Sequence, residues 1–276
     1  MRSSGRWLLA VVSVLMISAG MVTGAEIRTA ESYSPEFKKI FKEKKIVVAM
    51  LSSDEPPFFM HDSLGKLTGI DVELATAIAR SLDVELVLNR TAKTFDDVVR
   101  LIAQKEADIA ISYLSRTSPR GLSVLFTQPY MRFKHALLIN RLKAKKSDSL
   151  EWFNRKEVTI GVLEGSAYVD FGKMDFPQAT LAIYPSWDSA ATAVQRGDIH
   201  AALMDDNEVL SWTRRHPEVL LYIQTRVLAN TEDQISMATH WQNTHLLAWL
   251  NLNIEFMEAE GRLNQLRQKY LVKKAP

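Results

Sequence analysis

Strand-length apolar runs alternate with amphipathic helical segments along this chain, and the whole alternation occurs twice. Residues 46–50 form an apolar run of strand length that ends in the punctuated loop Ser52-Ser53-Asp54-Glu55-Pro56-Pro57. Asp71 is placed to cap a helix through about Leu82, with Val72, Ala75, Ile78 and Ala79 on one stripe. Residues 84–88 are the next strand, Thr94 opens a helix with Val98, Leu101 and Ile102 facing inward, and 108–112 is a third strand. After the polar, basic stretch 141–148 the order restarts with a strand at 158–162 and a helix beginning near Tyr168. A strand at 182–184 leads to a helix capped by Ser186 or Asp188 and broken by Gly197, and a strand at 199–204 leads to a helix that Asp206 is placed to cap. This β-α-β-α-β order argues for a mainly parallel sheet flanked by helices. It recurs as an order of elements, not as a short-period sequence repeat. Residues 246–270 are amphipathic helix with a break at Glu260-Gly261, too polar for a membrane.

Arg2 and Arg6 precede an apolar run at 7–22, and Thr23-Gly24-Ala25 offers small residues for cleavage before Glu26. Ser13, Ser18 and Gly20 interrupt that run, so residues 1–25 read as a cleavable export signal rather than an uncleaved anchor. Cleavage leaves 251 of the 276 residues, near the size at which one hydrophobic core divides into two. It also removes two arginines and no acid, so the 34 basic residues fall to 32 against 32 acidic ones and the net charge falls from +2 to zero. With no Lys/Arg face interleaved with aromatics, nucleic acid is not an expected partner. The chain has no cysteine, which excludes a disulfide framework, a thiolate metal site, a cysteine nucleophile and a lipid-modified N-terminal cysteine. The exported product is therefore expected free in a periplasm. Six histidines (61, 135, 200, 216, 240 and 245) lack metal-ligand spacing, and neither a metal nor a cofactor is expected. The chain is expected to end with its last helix, without a fused catalytic or signalling module.

The segment Ser112-Tyr113-Leu114-Ser115-Arg116-Thr117-Ser118-Pro119-Arg120 carries the chemistry. Thr117 is a helix N-cap, and Pro119 is tolerated in the first turn, where its missing N–H has no partner. Hydroxyls, free backbone N–H groups and the Arg120 guanidinium then meet at a strand-to-helix corner. Such a corner suits a small carboxylate, because the helix terminus supplies donors and Arg supplies a two-pronged fork. A surface arginine beside an ordinary cap is the other reading of the same residues.

Further pieces resemble a known family in order. They are Glu55-Pro56-Pro57-Phe58, the run from Gly65 to Leu74, Ala107-Asp108-Ile109-Ala110, Thr117-Ser118-Pro119-Arg120 and Phe126-Thr127-Gln128-Pro129-Tyr130. The run from Gly161 to Ser166, Gly197-Asp198-Ile199-His200-Ala201 and Glu260-Gly261-Arg262-Leu263 continue the series. From about residue 45 to the C-terminus the chain resembles the periplasmic solute-binding proteins of polar-amino-acid ABC importers, bacterial extracellular solute-binding family 3. The resemblance implies an α/β type II periplasmic binding protein fold, with two lobes joined by two hinge strands around a ligand. It implies a first lobe at 26–138, a second lobe at 139–233 and a return to the first lobe at 234–276. The passages are expected near residues 137–140 and 234–238.

The resemblance places the carboxylate-binding arginine on Arg120, with Ser115 and Thr117 as hydroxyl partners and Ser112 nearby. It places the ammonium-binding acid on Asp205, the second-lobe donor loop on Gly165-Ser166-Ala167 and an aromatic shelf on Phe95. Burying either charge of a zwitterion without a partner costs several kcal/mol, so an arginine and an acid from opposite lobes suit an amino acid. Asp205 is open to a second reading as a helix cap, and Phe95 as core. Glu55 stands where many relatives have an aromatic; it either faces the cleft, favouring a cationic or hydrogen-bonding ligand, or points outward as a loop charge. Trp187 either lines the cleft rim or covers the core, Asp71 is expected as a helix cap, and His200 as packing. The implied protein is a monomeric, non-enzymatic receptor that delivers an amino acid or related small carboxylate to an ABC permease. Two rival readings are a periplasmic enzyme resembling cyclohexadienyl dehydratase, with Glu55 or Glu164 as general acid, and a ligand-binding accessory or sensor for a membrane partner.

Overall fold

The computed structural model describes residues 32–144 and 149–271; the expected signal at 1–25 and part of the basic stretch 141–148 lie outside them. α1 (Pro35–Glu43) leads into β1 (Lys45–Leu51), and a hairpin of β2 (Met60–His61) and β3 (Leu67–Thr68) precedes α2 (Ile70–Leu82). β4 (Glu85–Ala92), α3 (Phe95–Ala103) and β5 (Ile109–Ala110) complete the first alternation, followed by α4 (Ser118–Gly121) and β6 (Val124–Phe126). β7 (Met131–Phe133) and β8 (His135–Asn140) carry the chain away. The second alternation is β9 (Thr159–Leu163), α5 (Tyr168–Asp175), β10 (Thr180–Tyr184), α6 (Trp187–Arg196), β11 (Ala201–Asp205), α7 (Asp206–Arg215) and β12 (Ile223–Val227). β13 (Asp233–Ile235), β14 (Ala238–His240), α8 (Thr244–Ala259) and α9 (Arg262–Tyr270) end the described chain. Among the described residues no helix is long and apolar enough to cross a membrane.

Two five-stranded sheets result, in the orders β4-β1-β5-β14-β6 and β10-β9-β11-β8-β12. In each, three parallel strands come from a local β-α-β-α-β run, and the fourth strand runs antiparallel. That fourth strand is the one arriving from the opposite lobe: β8 follows β7, and β14 follows β13. β7 and β13 pair with each other, Asp233 opposite Phe133 and Ile235 opposite Met131, and form the two-stranded hinge. The expected passage at residues 137–140 therefore lies too late. Those residues sit inside β8, buried along its whole length between β11 and β12. A strand covered on both faces reads as an unbroken apolar run, with nothing in its sequence to separate it from a connecting strand. The second lobe accordingly begins at His135 rather than 139, and residue 233 belongs to the hinge.

The helices follow their local signals. Thr94 caps α3 through a reciprocal capping box with Asp97, Ser186 caps α6, and Gly197 closes α6 in the left-handed conformation. Val98, Leu101 and Ile102 turn inward as their spacing predicts. Asp71 does not cap α2; Gly69 holds the N-cap position. The Asp71 carboxylate instead turns into the first lobe, where it accepts from the Tyr113 N–H at 2.6 Å and the Tyr130 hydroxyl at 2.8 Å. Its lack of exposure pushes its pKa up to about 7, against which the two donors act.

Gly69 fixes the loop that carries Glu55. Pro57 and Phe58 carbonyls accept from Ile70 and Asp71 N–H groups at the start of α2, which brings the loop backbone against Gly69. A Cβ there would lie 2.2 Å from the Phe58 oxygen, and φ is +130°. Gly69→Ala is thus expected to destabilise the protein by about 3 kcal/mol, from left-handed strain and a clash with immovable backbone. A thermal melt several degrees below wild type is the expected reading.

Candidate functional site

The β4–α3 corner of the first lobe meets the β9–α5 corner of the second across the cleft. The Gly165 carbonyl of the β9–α5 turn accepts from the Asp96 N–H of α3 at 3.0 Å. A Cβ on Gly165 would lie 2.6 Å from the Thr94 Cβ, so the absence of a side chain there sets how closely the lobes approach.

Arg120 is buried at this seam, and Thr117 caps its helix, accepting from the Arg120 N–H at 3.4 Å. The guanidinium bridges both lobes. Nη1 donates to the Ser115 carbonyl at 3.0 Å and Nη2 to the Gly165 carbonyl at 3.2 Å, while Nε and Nη2 reach Asp96 Oδ1 at 3.1 and 2.9 Å. The fork thus already holds a carboxylate oxygen, from a residue that the sequence reading did not single out. The Asp96 side chain is 63% exposed, against 6% for Arg120, so its carboxylate is free to swing into water.

Asp205, at the end of β11, is 1% exposed. Its reading as a helix cap holds for one oxygen: Oδ1 caps α7 by accepting from the Glu208 N–H at 2.9 Å, while Oδ2 has no hydrogen-bond partner among the described residues. Burial first, and then the neighbouring Asp233 and Asp206 charges, push its pKa up to about 7, opposed by the Tyr113 hydroxyl and the cap. Asp206, expected as the cap, is instead the first residue of α7 and accepts from the Lys134 N–H.

Around Asp205 lies a small cavity of about 10 Å³, the size of one water or ammonium group, walled by Phe95, Tyr113, Ser115, Ser166, Ala167, Tyr168, Met204 and Asp233. Phe95 and Met204 are also walls of a second cavity of about 680 Å³. The acids on that larger wall are Asp54, Glu55, Glu164, Asp188 and Glu208, facing Lys93, Arg215 and His216. Glu55 therefore faces the cleft. Burial and the nearby Asp205 push its pKa up to about 7, and the same causes push Glu208 up to about 8 despite its 3.0 Å bond from Arg215. Trp187 lines this cavity and is only 7% exposed, so it serves rim and core together.

Of the expected residues, Phe95, Ser115, Ser166, Ala167, Asp205 and Glu55 line one cavity or the other. Arg120 and Thr117 border neither, the fork being closed over by Asp96 and Gly165. Ser112 is corrected outright. It is fully buried, and its hydroxyl accepts from the Leu51 N–H at 2.9 Å, fastening β1 to the segment after β5. The Ser166 hydroxyl donates to the Leu163 carbonyl at 2.8 Å and accepts from the Tyr168 N–H, holding the turn that presents Ala167. His200 behaves as packing, accepting from the Thr159 N–H at 3.0 Å against the Trp152 ring.

Three residues escaped the sequence reading. Tyr113 has φ +49° and stacks on Phe58 with ring centroids 3.7 Å apart; the Asp71 bond to its N–H pins it there. Asp233 accepts from the Ser115 hydroxyl at 3.0 Å and the Tyr168 hydroxyl at 2.9 Å. Asp96 is the third. Tyr113 sat in plain view within the 112–120 segment, but no local pattern marked Asp233 or Asp96.

Two α/β lobes of matching strand order, tied by a strand pair and facing each other across a polar cleft, define a type II two-lobe binding protein. The family model for bacterial extracellular solute-binding proteins, family 3, matches residues 46–273, and the chain belongs to that family. It is 26% identical over 226 residues to the arginine-binding periplasmic protein of Mannheimia haemolytica, covering 81% of this chain and 90% of that one. It is 24% identical over 268 residues to the L-cystine-binding protein TcyJ of Escherichia coli K12, covering 96% and 95%. Among solved structures it resembles an ancestral amino acid-binding protein described as a precursor of cyclohexadienyl dehydratase, with TM-score 0.71, 25% identity, and 85% and 99% of the two chains covered.

Proposed function

We propose that this solute-binding protein captures a cationic amino acid between its lobes, releases it unchanged to an ABC permease, and works as a periplasmic monomer freed from its signal segment. The observation that carries the proposal is Asp205. A buried carboxylate with one unpartnered oxygen opens on an ammonium-sized cavity, and a larger cavity with an acid-rich wall adjoins it. The ligand's α-ammonium meets Asp205 Oδ2, and its α-carboxylate takes the place of Asp96 Oδ1 on the Arg120 fork. The Ala167 N–H at the start of α5 supports the same carboxylate, and Phe95 is the shelf under the α-carbon. The side chain extends into the larger cavity toward Glu55, Asp188 and Glu208. Neutralising these clustered acids favours a basic side chain over a neutral one. The arginine-binding relative supports this reading. Because the ligand bridges groups of both lobes, it stabilises the closed form by differential contacts.

Thermal-shift screening of the mature protein against L-arginine, L-lysine, L-glutamine and L-cystine, followed by mass spectrometry of the recovered ligand, tests the proposal. L-arginine or L-lysine is expected to raise the melting temperature, with stabilisation of about 2.7 kcal/mol at a hundredfold excess over Kd. Arg120→Ala is expected to remove the response. A response to neutral amino acids alone overturns the cationic assignment. Recovery of a chemically altered ligand overturns the binding-only reading in favour of a dehydratase-like enzyme with Glu55 as its acid.

A further inference from the structure

Three buried polar atoms lack a partner in hydrogen-bond geometry among the described residues and belong to residues that wall one small cavity: Asp205 Oδ2, Asp233 Oδ1 and the Tyr113 hydroxyl, which lies beside Asp205. Their residues are 1%, 1% and 6% exposed. They come from three separate parts of the molecule. Asp205 ends a strand of the second lobe, Tyr113 follows β5 in the first, and Asp233 opens the hinge strand β13. A buried carboxylate oxygen without a donor is costly, and two of them on residues that wall the same cavity of about 10 Å³ point to a group that satisfies both. That group must carry positive charge, present at least two donors and occupy the space of one heavy atom. A guanidinium is too large. A bare metal ion requires more oxygens than a wall shared with Phe95, Met204 and Ala167 supplies. A primary ammonium satisfies all three conditions.

We infer that Asp233 is a second carboxylate of the ammonium site, so that the ligand's α-ammonium is held between Asp205 Oδ2 and Asp233 Oδ1 with its third N–H on the Tyr113 hydroxyl. This rests on the amino acid reading above and adds to it a residue of the hinge. The other oxygen of Asp233 already receives the Ser115 hydroxyl from the first lobe and the Tyr168 hydroxyl from the second. One carboxylate thereby joins both lobes, the hinge and the ligand. The charged and titratable groups facing the pair are Glu55, Asp206, Glu208 and Tyr113 around Asp205, and Tyr168, His135 and Arg120 around Asp233. Burial raises the pKa of both carboxyls in the ligand-free protein, so the ammonium replaces protons as it enters. Two anionic acceptors select a primary ammonium; removing the amine leaves both carboxylates unpaired.

Calorimetric titration of wild type and Asp233→Asn with L-arginine and with its desamino analogue, 5-guanidinopentanoate, tests the inference. Asparagine keeps an oxygen for Ser115 and Tyr168 but not the charge. The variant is expected to lose roughly 10- to 100-fold in affinity for L-arginine, as for one hydrogen bond to a charged group, and less than about threefold for the analogue. Equal losses for the two ligands, or none for L-arginine, overturn the role of Asp233 while leaving the cationic amino acid reading intact. Absence of wild-type binding to both L-arginine and L-lysine overturns that reading and this inference with it. A crystal structure of the wild-type L-arginine complex decides the point even if the variant fails to fold: the α-nitrogen within about 3 Å of both carboxylates supports the inference, and contact with Asp205 alone overturns it.

Discussion

Asp205→Asn is expected to weaken binding of the cognate amino acid by more than about 100-fold while leaving the ligand-free protein folded. Leaving a buried charge without its partner costs about 3–5 kcal/mol, which is two to three orders of magnitude in Kd. Asparagine is as good an N-cap as aspartate, so the Oδ1 bond to the Glu208 N–H survives and α7 is not unravelled. Calorimetry gives the affinity and a thermal melt at pH 8 the stability; unaltered affinity for L-arginine or L-lysine would remove Asp205 from the site. The same carboxyl ties binding to pH. Held up to about 7 without ligand, it is largely protonated at pH 6, and an ammonium requires it charged. Kd is therefore expected to tighten as pH rises from 6 to 8, by at most tenfold per pH unit for each carboxyl proton the ammonium displaces, and to flatten above that range. For stability the sign is opposite. Glu55, Asp71 and Asp205 are held up to about 7 and Glu208 up to about 8, each chiefly by burial. A folded state that holds protons the unfolded chain has released has this stability in full below about pH 4, and loses it as pH rises through about 7 to 8. Asp54, lowered to about 2, acts the other way in strong acid. The ligand-free melting temperature is thus expected to peak at about pH 4 rather than at neutrality, and bound ligand flattens the part due to Asp205.

Gly165→Ala is expected to cost about one to two orders of magnitude in affinity by holding the lobes apart. The new Cβ would lie 2.6 Å from the Thr94 Cβ and 2.9 Å from its Oγ1, at a residue with φ +61°. Thr94 has no room to retreat, because its hydroxyl caps α3 and its N–H bonds to the Asp97 carboxylate. The displaced seam includes the Asp96–Gly165 backbone bond and the Gly165 carbonyl on the Arg120 fork. Left-handed strain of about 1–2 kcal/mol adds to the clash. Gly65→Ala is the control for strain without contact, with φ +75° and nothing within 4 Å. Small-angle scattering of the L-arginine-saturated variant is expected to show a larger radius of gyration than wild type. Full closure with undiminished affinity would show that Gly165 does not set the approach of the lobes.

Helix starts and stops were legible because each is decided within a few residues. Thr94, Thr117, Ser186, Gly197 and Gly261 hold the positions their local chemistry predicts. The parallel strands were legible from the alternation of apolar runs with amphipathic helices. The hinge was not: β7 and β13 have three residues each, and their pairing joins positions about a hundred residues apart. Glu55 was visible as a departure from the family's usual aromatic, but only the loop anchored on Gly69 determines which way it faces. Asp71 had the residue type and place of a cap, yet buried donors from Tyr113 and Tyr130 drew its carboxylate inward.

By itself, the sequence determined the two β-α-β-α-β units, the capped corner at Thr117–Arg120 and the acid ending the strand before α7. These depend on local propensity, on spacing and on which residues lie next to one another. Tertiary structure decided which groups meet: that Asp96 rests on the Arg120 fork, that the Ser112 hydroxyl fastens β1, and that Asp233 walls the same small cavity as Asp205. Such meetings depend on how two lobes close about a hinge, and only that closure determines which buried carboxylate oxygens are left without a donor.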